Sequence, residues 1–380
     1  MVESIGATPH LQPLVSVVVP AFNASPFIER TLVSATSQTY RALEIIVVDD
    51  GSTDDTARLV ERAAVNDARI RLLRTANRGV AAARNTGIEA ASGPYVAFLD
   101  ADDLWHPAKI EKQVEALERL PDQWAAVYVL HHFINLDDEL YGLGPSHLAR
   151  GYIYARHLTY KYVGNGSSLL VRRQAALEIG GFDSSYVAAG IGGCEDLDFE
   201  LRLAARYCIE YVPERLLGYR KYAGNMSSDH VRMASALSEV TRRSLAAGPE
   251  LSSYAAGSAI LAAHKYALNQ YMLAGNYRLA AAPARAILKA DPVFVIRLIL
   301  RTSAGYAKRK LLLALIGRER LARPCSKPRF QDLASSSRPT EMPKSLRMRR
   351  RAARLAEADA ALSSAHAVPV REAAALESRV

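Results

Sequence analysis

The sequence predicts an α/β fold with a mostly parallel central sheet flanked by helices, followed by a helical C-terminal region. Three observations carry that prediction. Short β-branched runs alternate with helix-like stretches over the first hundred residues. Those runs are apolar throughout, as strands covered on both faces are. From about residue 235 to 320 the runs give way to Ala- and Leu-rich, helix-like sequence.

Taken in order, "VSVVVP" (15–20) reads as a strand ended by Pro20. In "SPFIERTLVSATSQ" (25–38), Ser25 is an expected N-cap with Pro26 at the first helical position, and Phe27, Ile28, Leu32 and Ala35 share a face. "EIIVVDD" (44–50) is a second buried strand. "STDDTARLVERAAV" (52–65) is a helix opened by a capping residue and early acids. "RIRLLR" (69–74), "GVAAARNTGIEAA" (79–91) and "YVAFLD" (95–100) read as strand, helix and strand. Further strands are expected within 125–140, 166–173 and 209–222, and an amphipathic helix over 192–207. The Pro/Ser-rich stretch from about 325 is expected to be disordered, with a last basic helix, "LRMRRRAARLAEADAAL", after it.

Composition narrows the function classes. With 380 residues, 49% hydrophobic and 23% charged, the chain suits a soluble protein of two domains, or one with an appendage. The expected divisions are a tail over 1–13, a catalytic domain over 14–230, a helical region over 235–322 and a basic, largely disordered tail over 323–380. No apolar stretch is long enough to predict a membrane span, and the N-terminus lacks the pattern of a secretory signal. Cys194, Cys208 and Cys325 form no CxxC pair or disulfide framework, which suits a reducing cytoplasm. The net charge of +9 is uneven. Residues 1–240 carry 23 Lys+Arg against 30 Asp+Glu (−7), and residues 241–380 carry 25 against 9 (+16). Residues 293–317 alternate apolar clusters with Arg297, Arg301 and the "KRK" at 308–310, a pattern suited to lying on an anionic membrane, here the inner face of the plasma membrane. An ordinary helical subdomain is the competing reading. Nucleic acid is not an expected partner, since no basic-aromatic motif stands out.

The chemistry is concentrated at strand ends, where open α/β sheets bind ligands. The second strand ends in Asp49 and Asp50, and the fourth in "DADD", Asp100 to Asp103. Phosphate-binding glycine loops are absent. Asp103 is expected to cap the following helix. That leaves Asp100 and Asp102 on one side of a loop, an arrangement suited to Mg²⁺ or Mn²⁺ that completes its shell with a nucleotide diphosphate and water.

Five motifs in order then resemble family 2 glycosyltransferases of GT-A fold, over roughly residues 14–228. They are "VVVPAFNASPFIERTLVSATSQTYRALEIIVVDDGSTDDT" (17–56), "NRGVAAARNTGIEAASGPYVAFLDADD" (77–103), "GGFD" (180–183), "EDLDFELRL" (195–203) and "YRKYAGNMS" (219–227). The resemblance implies a Rossmann-like nucleotide-binding half and an acceptor half. It puts Pro20, Asn23, Asp49, Asp50, Arg84 and Asp100 at the nucleotide, with Asp50 on the base and Asp100 near the ribose. Asp102 would bind the metal, Asp196 would be the catalytic base, and Glu195 would support it. Arg220 and Tyr222 would contact the diphosphate. Tyr222 stands where the family often has histidine, and His230 is the alternative substitute. The implied activity is inverting transfer of a sugar from a nucleotide diphosphate to a hydroxyl of a glycan or lipid-linked acceptor, one sugar per encounter since no "QxxRW" is present. A sugar nucleotidyltransferase would carry a "GxGTR"-type loop where this chain has "PAFNAS". A catalytically silent binding or scaffold protein would be expected to lose the "DAD" or "ED" acids, and both are intact. His131 and His132 read as structural, and the Tyr-rich stretch 151–166 as core or as an acceptor wall.

Overall fold

The structure, a computed structural model, describes residues 12–294, 328–333 and 346–365. Its first half contains β1 (Val15–Ala21), α1 (Ile28–Thr36), β2 (Leu43–Asp49), α2 (Thr56–Asn66), β3 (Ile70–Arg74), α3 (Val80–Ala90), β4 (Tyr95–Phe98), β5 (Leu104–Trp105) and α4 (Lys109–Glu118). Next come β6 (Trp124–Ile134), β7 (Leu140–Leu143), α5 (Tyr154–Tyr160), β8 (Leu169–Arg172), α6 (Arg173–Glu178), α7 (Ser185–Ala188), α8 (Glu195–Ala204) and β9 (Cys208–Arg220). The remaining helices are α9 (His230–Ala247), α10 (Ser253–Leu273), α11 (Tyr277–Ala290) and α12 (Leu346–Ala365).

One sheet runs β3-β2-β1-β4-β8-β6-β9-β5, with β7 beside β6. Its first four strands are parallel. At β8 the direction reverses, and β6 and β9 then run parallel to each other. Successive residues of a strand face opposite sides, so two cores form. Val17, Val19, Ile45 and Val47 belong to one, and Val18, Ile46, Val48 and Phe98 to the other. This explains why the runs are apolar at every position. α3 lies unusually close to β1, because a Cβ on Gly87 would fall 2.2 Å from Val18 Cγ1.

Several local expectations are corrected. α1 begins at Ile28, two residues past Pro26, and the Ser25 N–H donates to Asp54 Oδ2 (3.1 Å). α2 begins at Thr56, whose N–H donates to Asp54 Oδ1 (2.9 Å); Ser52 instead accepts the Asn23 N–H (2.9 Å). Asp103 caps nothing, because α4 starts six residues later. The helices after β9 pack on the sheet, with Ala236, Leu237, Val240, Ala259 and Ala263 in the same core as Phe98. Within the expected disordered tail one short stretch is packed, and the expected last basic helix is present as α12. Phe330 is buried against Leu104 and Ile134, and Asp359 of α12 accepts the Ala155 N–H (2.6 Å) and the Arg156 Nε–H (2.5 Å). Residues 295–327, including most of the basic 293–317 stretch, lie outside the described residues.

Candidate active site

A cleft of about 260 Å³ opens where the parallel strands end. Six segments supply it: the end of β1 with the β1–α1 loop, α3, the loop after β4, the segment before β8, the start of α8, and the end of β9 with the turn after it. Pro20, Asn23, Arg84, Asp100, Asp102, Glu195, Asp196 and Tyr222 all line it, so most of the residues singled out in the sequence meet at one place.

The three aspartates after β4 are directed to three surroundings. Asp100 Oδ1 accepts from Arg84 Nη2 at 2.6 Å. Asp103 is fully buried: Oδ2 accepts from Asn165 Nδ2 (2.9 Å) and Ser167 Oγ (2.7 Å), and Oδ1 from the Arg220 N–H (2.9 Å). Burial, then Asp102 and Asp100, push its carboxyl well above the usual range. Asp103 therefore ties the loop to β9 and to the segment before β8. Asp102 Oδ2 accepts from Asn225 Nδ2 (3.2 Å), and its carboxylate also takes a hydrogen bond from Tyr222. Burial and the neighbouring Asp100 push Asp102 up to about 6, against the pull of Arg220 and Tyr222.

Arg84 links the two acidic segments. It is buried, its guanidinium sits 5.0 Å from the centre of the Phe182 ring, and Nε has no hydrogen-bond partner among the described residues. Burial alone would favour its neutral form, but Asp100, Asp196 and Glu195 outweigh that and raise its pKa. Glu195 and Asp196 are the first two residues of α8. Glu195 Oε2 accepts the Gly193 N–H (2.7 Å), while its Oε1 is buried without a partner among the described residues. Asp196 Oδ1 accepts the Leu197 N–H (2.8 Å). Burial, followed by Glu200, pushes Asp196 up to about 7, with Arg84 opposing. Arg202 pairs with Asp198 instead (2.8 Å), so an ion pair does not account for Asp196.

Other candidates lie elsewhere. Asp49 and Asp50 are buried at the end of β2 and hold backbone. Asp49 Oδ1 accepts the Ser52 N–H (3.0 Å), and Asp50 accepts the N–H groups of Arg78 (2.9 Å) and Gly79 (2.7 Å). Gly79 sits at φ +88°, a conformation that suits glycine, and starts α3. Arg220 departs from expectation. It is fully buried, and its guanidinium donates to Asp102 O (2.6 Å), Asn135 O (2.5 Å) and Asp138 Oδ1 (2.5 Å), so it braces the site from behind. His230 begins α9 and contacts Gln270 Oε1 (2.6 Å), leaving Tyr222 at the cleft. His131 and His132 are buried, and desolvation pushes them down to about 3 and about 4. Tyr152, Tyr154 and Tyr162 are core residues. Asn165 and Asn225, which sequence reasoning missed, line the cleft and hold Asp103 and Asp102. The asparagine in "GNMS" was the available signal for the second.

Residues 16–178 match the family described as "Glycosyl transferase family 2". Over that segment, a little under half of its length, the chain is similar to glycosyltransferase family 2. It is 32% identical over 183 residues to the amylovoran biosynthesis glycosyltransferase AmsB of Erwinia amylovora, covering 45% of this chain and 59% of AmsB. It is 42% identical over 106 residues to WfaP of Escherichia coli, a UDP-Glc:alpha-D-GlcNAc-diphosphoundecaprenol beta-1,3-glucosyltransferase, covering 28% and 41%. The chain spans about a third to three fifths of the length of curated relatives such as these. Among solved structures it resembles the mannosyltransferase PcManGT of Pyrobaculum calidifontis, in complex with GDP-Man and Mn²⁺, at 22% identity and a TM-score of 0.50, covering 79% of this chain and 82% of that one. The chain has a GT-A-type fold, with the cleft at the junction of its parallel and mixed halves.

Proposed function

We propose that the chain is an inverting glycosyltransferase, moving a sugar from a nucleoside diphosphate to a hydroxyl of a glycan or lipid-linked acceptor. One observation carries the reading: donor-type and base-type carboxylates line a single cleft, joined through a buried arginine. Three cleft residues, Arg84, Asn165 and Glu195, are also at most 4% exposed and each keeps a polar atom without a partner among the described residues. Such atoms cost roughly 1–3 kcal/mol each unless a ligand meets them.

In this reading Asp196 takes the proton from the acceptor hydroxyl as its oxygen attacks the anomeric carbon. The bond from that carbon to the diphosphate oxygen breaks on the opposite face. A carboxylate that titrates near neutrality suits this work, and a placed base contributes about 10²–10⁴ in rate. Pro20 and Asn23, with Asp49 and Asp50 shaping the adjoining strand end, bound the nucleotide side. Asp100, held by Arg84, is turned toward the ribose. Tyr222 is a hydroxyl donor for the diphosphate.

Asp102 fits a divalent cation such as Mn²⁺ or Mg²⁺. It is crowded by Asp100, and a cation would relieve that repulsion. Among the described residues no group of three or more His, Cys, Asp or Glu could hold a metal, so diphosphate oxygens and water would complete the shell. Such an ion, when bound, supplies positive charge to the leaving diphosphate.

The test is nucleotide release from a panel of UDP- and GDP-sugars, with Mn²⁺ and with EDTA, and NMR of the released sugar. Metal-dependent release with inverted anomeric configuration is expected; retained configuration would overturn the single displacement.

No helix among the described residues is long and apolar enough to cross a membrane. The +16 of residues 241–380 supports peripheral contact with anionic lipid, each cation adding about 1 kcal/mol. Replacing Lys308, Arg309 and Lys310 with glutamate in the full chain should reduce sedimentation with phosphatidylglycerol vesicles; unchanged sedimentation would refute this contact.

A further inference from the structure

Behind the loop that carries Asp102 lies a slot filled from a distant part of the chain. Phe330 is 1% exposed, and its ring packs among Leu104, Ile134, Leu140 and Leu333. The His132 ring meets it edge-on, with centroids 6.2 Å apart. β9 makes room at Gly218, where a Cβ would fall 3.1 Å from ring atoms Cγ and Cδ1. The backbone is held as well. The Phe330 N–H donates to Asp138 O (3.0 Å) and the Leu140 N–H donates to Pro328 O (3.0 Å), an antiparallel bridge between Arg329 and Glu139. Farther along the segment, His106 Nε2 lies 3.3 Å from Leu333 O. His106 Nδ1 accepts the Ala108 N–H (3.2 Å), so the neutral ring carries its proton on Nε2 and donates it to Leu333 O.

The neighbours of this slot lead to the cleft. Leu104 directly follows Asp103. Asp138, whose carbonyl takes the Phe330 N–H, stands at φ +66°, in the left-handed region. A non-glycine residue stays there when its surroundings hold it. Asp138 Oδ1 accepts from Arg220 Nη2 (2.5 Å), and Arg220 Nε donates to Asp102 O (2.6 Å). Arg220 also donates to Asn135 O in the same β6–β7 turn (2.5 Å). Three consecutive hydrogen bonds therefore run from Phe330 through Asp138 and Arg220 to the backbone of Asp102. A plug that only excluded water would need the ring alone. Here its own N–H is bonded to the residue that orients Arg220.

We propose that residues 328–333 are a latch and Phe330 a positioning residue: seated in the slot, it holds the β6–β7 turn, through which Asp138 and Arg220 set where Asp102 stands in the cleft. The inference rests on reading Asp102 as the cation's ligand, and it goes beyond that reading by giving a C-terminal segment a part in the donor site. Phe330 touches neither donor nor cation in this account.

Phe330→Ala in the full chain tests it, by hydrogen–deuterium exchange without metal or nucleotide and by calorimetry with UDP and GDP, with Mn²⁺ and with EDTA. The Asp103 amide, bonded to Asp100 O (3.0 Å), and the Trp105 amide, bonded to Ser34 Oγ (3.1 Å), should exchange faster by about threefold or more, the lower range of one hydrogen bond's contribution. Amides of β2, toward the opposite edge of the sheet, should be unchanged. The Mn²⁺-dependent gain in nucleotide affinity should fall by about threefold or more, while affinity in EDTA changes by less than about twofold. Exchange that is unchanged or uniformly faster, or an unchanged Mn²⁺ gain, overturns the inference. If Phe330→Ala does not fold, Phe330→Leu carries the same comparison at a threshold of about twofold. Asp102→Asn separates the two readings. A Mn²⁺ gain lost in Asp102→Asn but kept in Phe330→Ala refutes the latch alone. A gain that survives Asp102→Asn refutes Asp102 as the ligand, and the exchange result then decides the latch by itself.

Discussion

Two acid-rich segments, Asp100–Asp103 and Glu195–Glu200, meet in this protein and are handled in opposite ways. In the first, a loop turns three neighbouring carboxylates toward different partners: Arg84, the cleft, and the buried Ser167–Asn165–Arg220 network. In the second, a helix fixes the spacing, so Asp196 and Glu200 stack on one face while Asp198 turns aside to Arg202. A loop separates like charges by direction. A helix keeps them in register and lets repulsion act. The first arrangement leaves one carboxylate, Asp102, lining the cleft, and the second leaves Asp196 pushed up to about 7.

Substitutions can break this comparison, and the largest expected effect is in the helix. Asp196→Asn should lower transfer by about 10²–10⁴ while leaving UDP or GDP affinity unchanged; wild-type turnover in a nucleotide-release assay would move the base elsewhere. Next is the brace behind the loop. Arg220→Met removes the buried one of the two arginines paired with Asp138, leaving Arg30, and also the donor to Asp102 O, and should cost about 3–5 kcal/mol in urea unfolding. A loss below 1 kcal/mol would mean the loop does not depend on β9.

A smaller effect sharpens the contrast through pH. The folded-state pKa of Asp102 is raised from 3.8 to about 6, so the folded protein holds this proton more tightly than the unfolded chain. Its contribution is complete below pH 3.8 and is lost as pH rises through 6. Without metal, Asp102→Asn should therefore become more stable than the wild type as pH rises from 4 to 7, by up to about 3 kcal/mol. Thermal melts in EDTA across that range check the sign; a pH-independent difference would contradict it. The smallest effect is expected at Tyr222→Phe, which removes one hydrogen bond to Asp102 and should weaken metal-dependent nucleotide binding by only about 1 kcal/mol.

The parallel half was legible because its strands are buried on both faces and leave unbroken β-branched runs, and because their acids stand where such sheets bind ligands. The cleft residues could be named from motif order. What stayed hidden was how they are held. Asp103 read as a cap because its real partners lie 62 to 117 residues away. Arg220 read as a phosphate contact because nothing local shows that Asp138 and Asn135 enclose it. The two-residue β5 is too short to show a period. Phe330 is the lone aromatic of its polar stretch, and that isolation was the readable sign that the stretch docks on the sheet. The Glu200–His157 pair spans 43 positions and two helices, so no spacing announces it.

The most direct measurement of the central claim is calorimetric titration of UDP and GDP into the full chain, with and without Mn²⁺, for the wild type and Asp102→Asn. The account predicts that one nucleotide binds more tightly with Mn²⁺ and that Asp102→Asn abolishes only this metal-dependent increment. Equal Mn²⁺ enhancement in both proteins would contradict it.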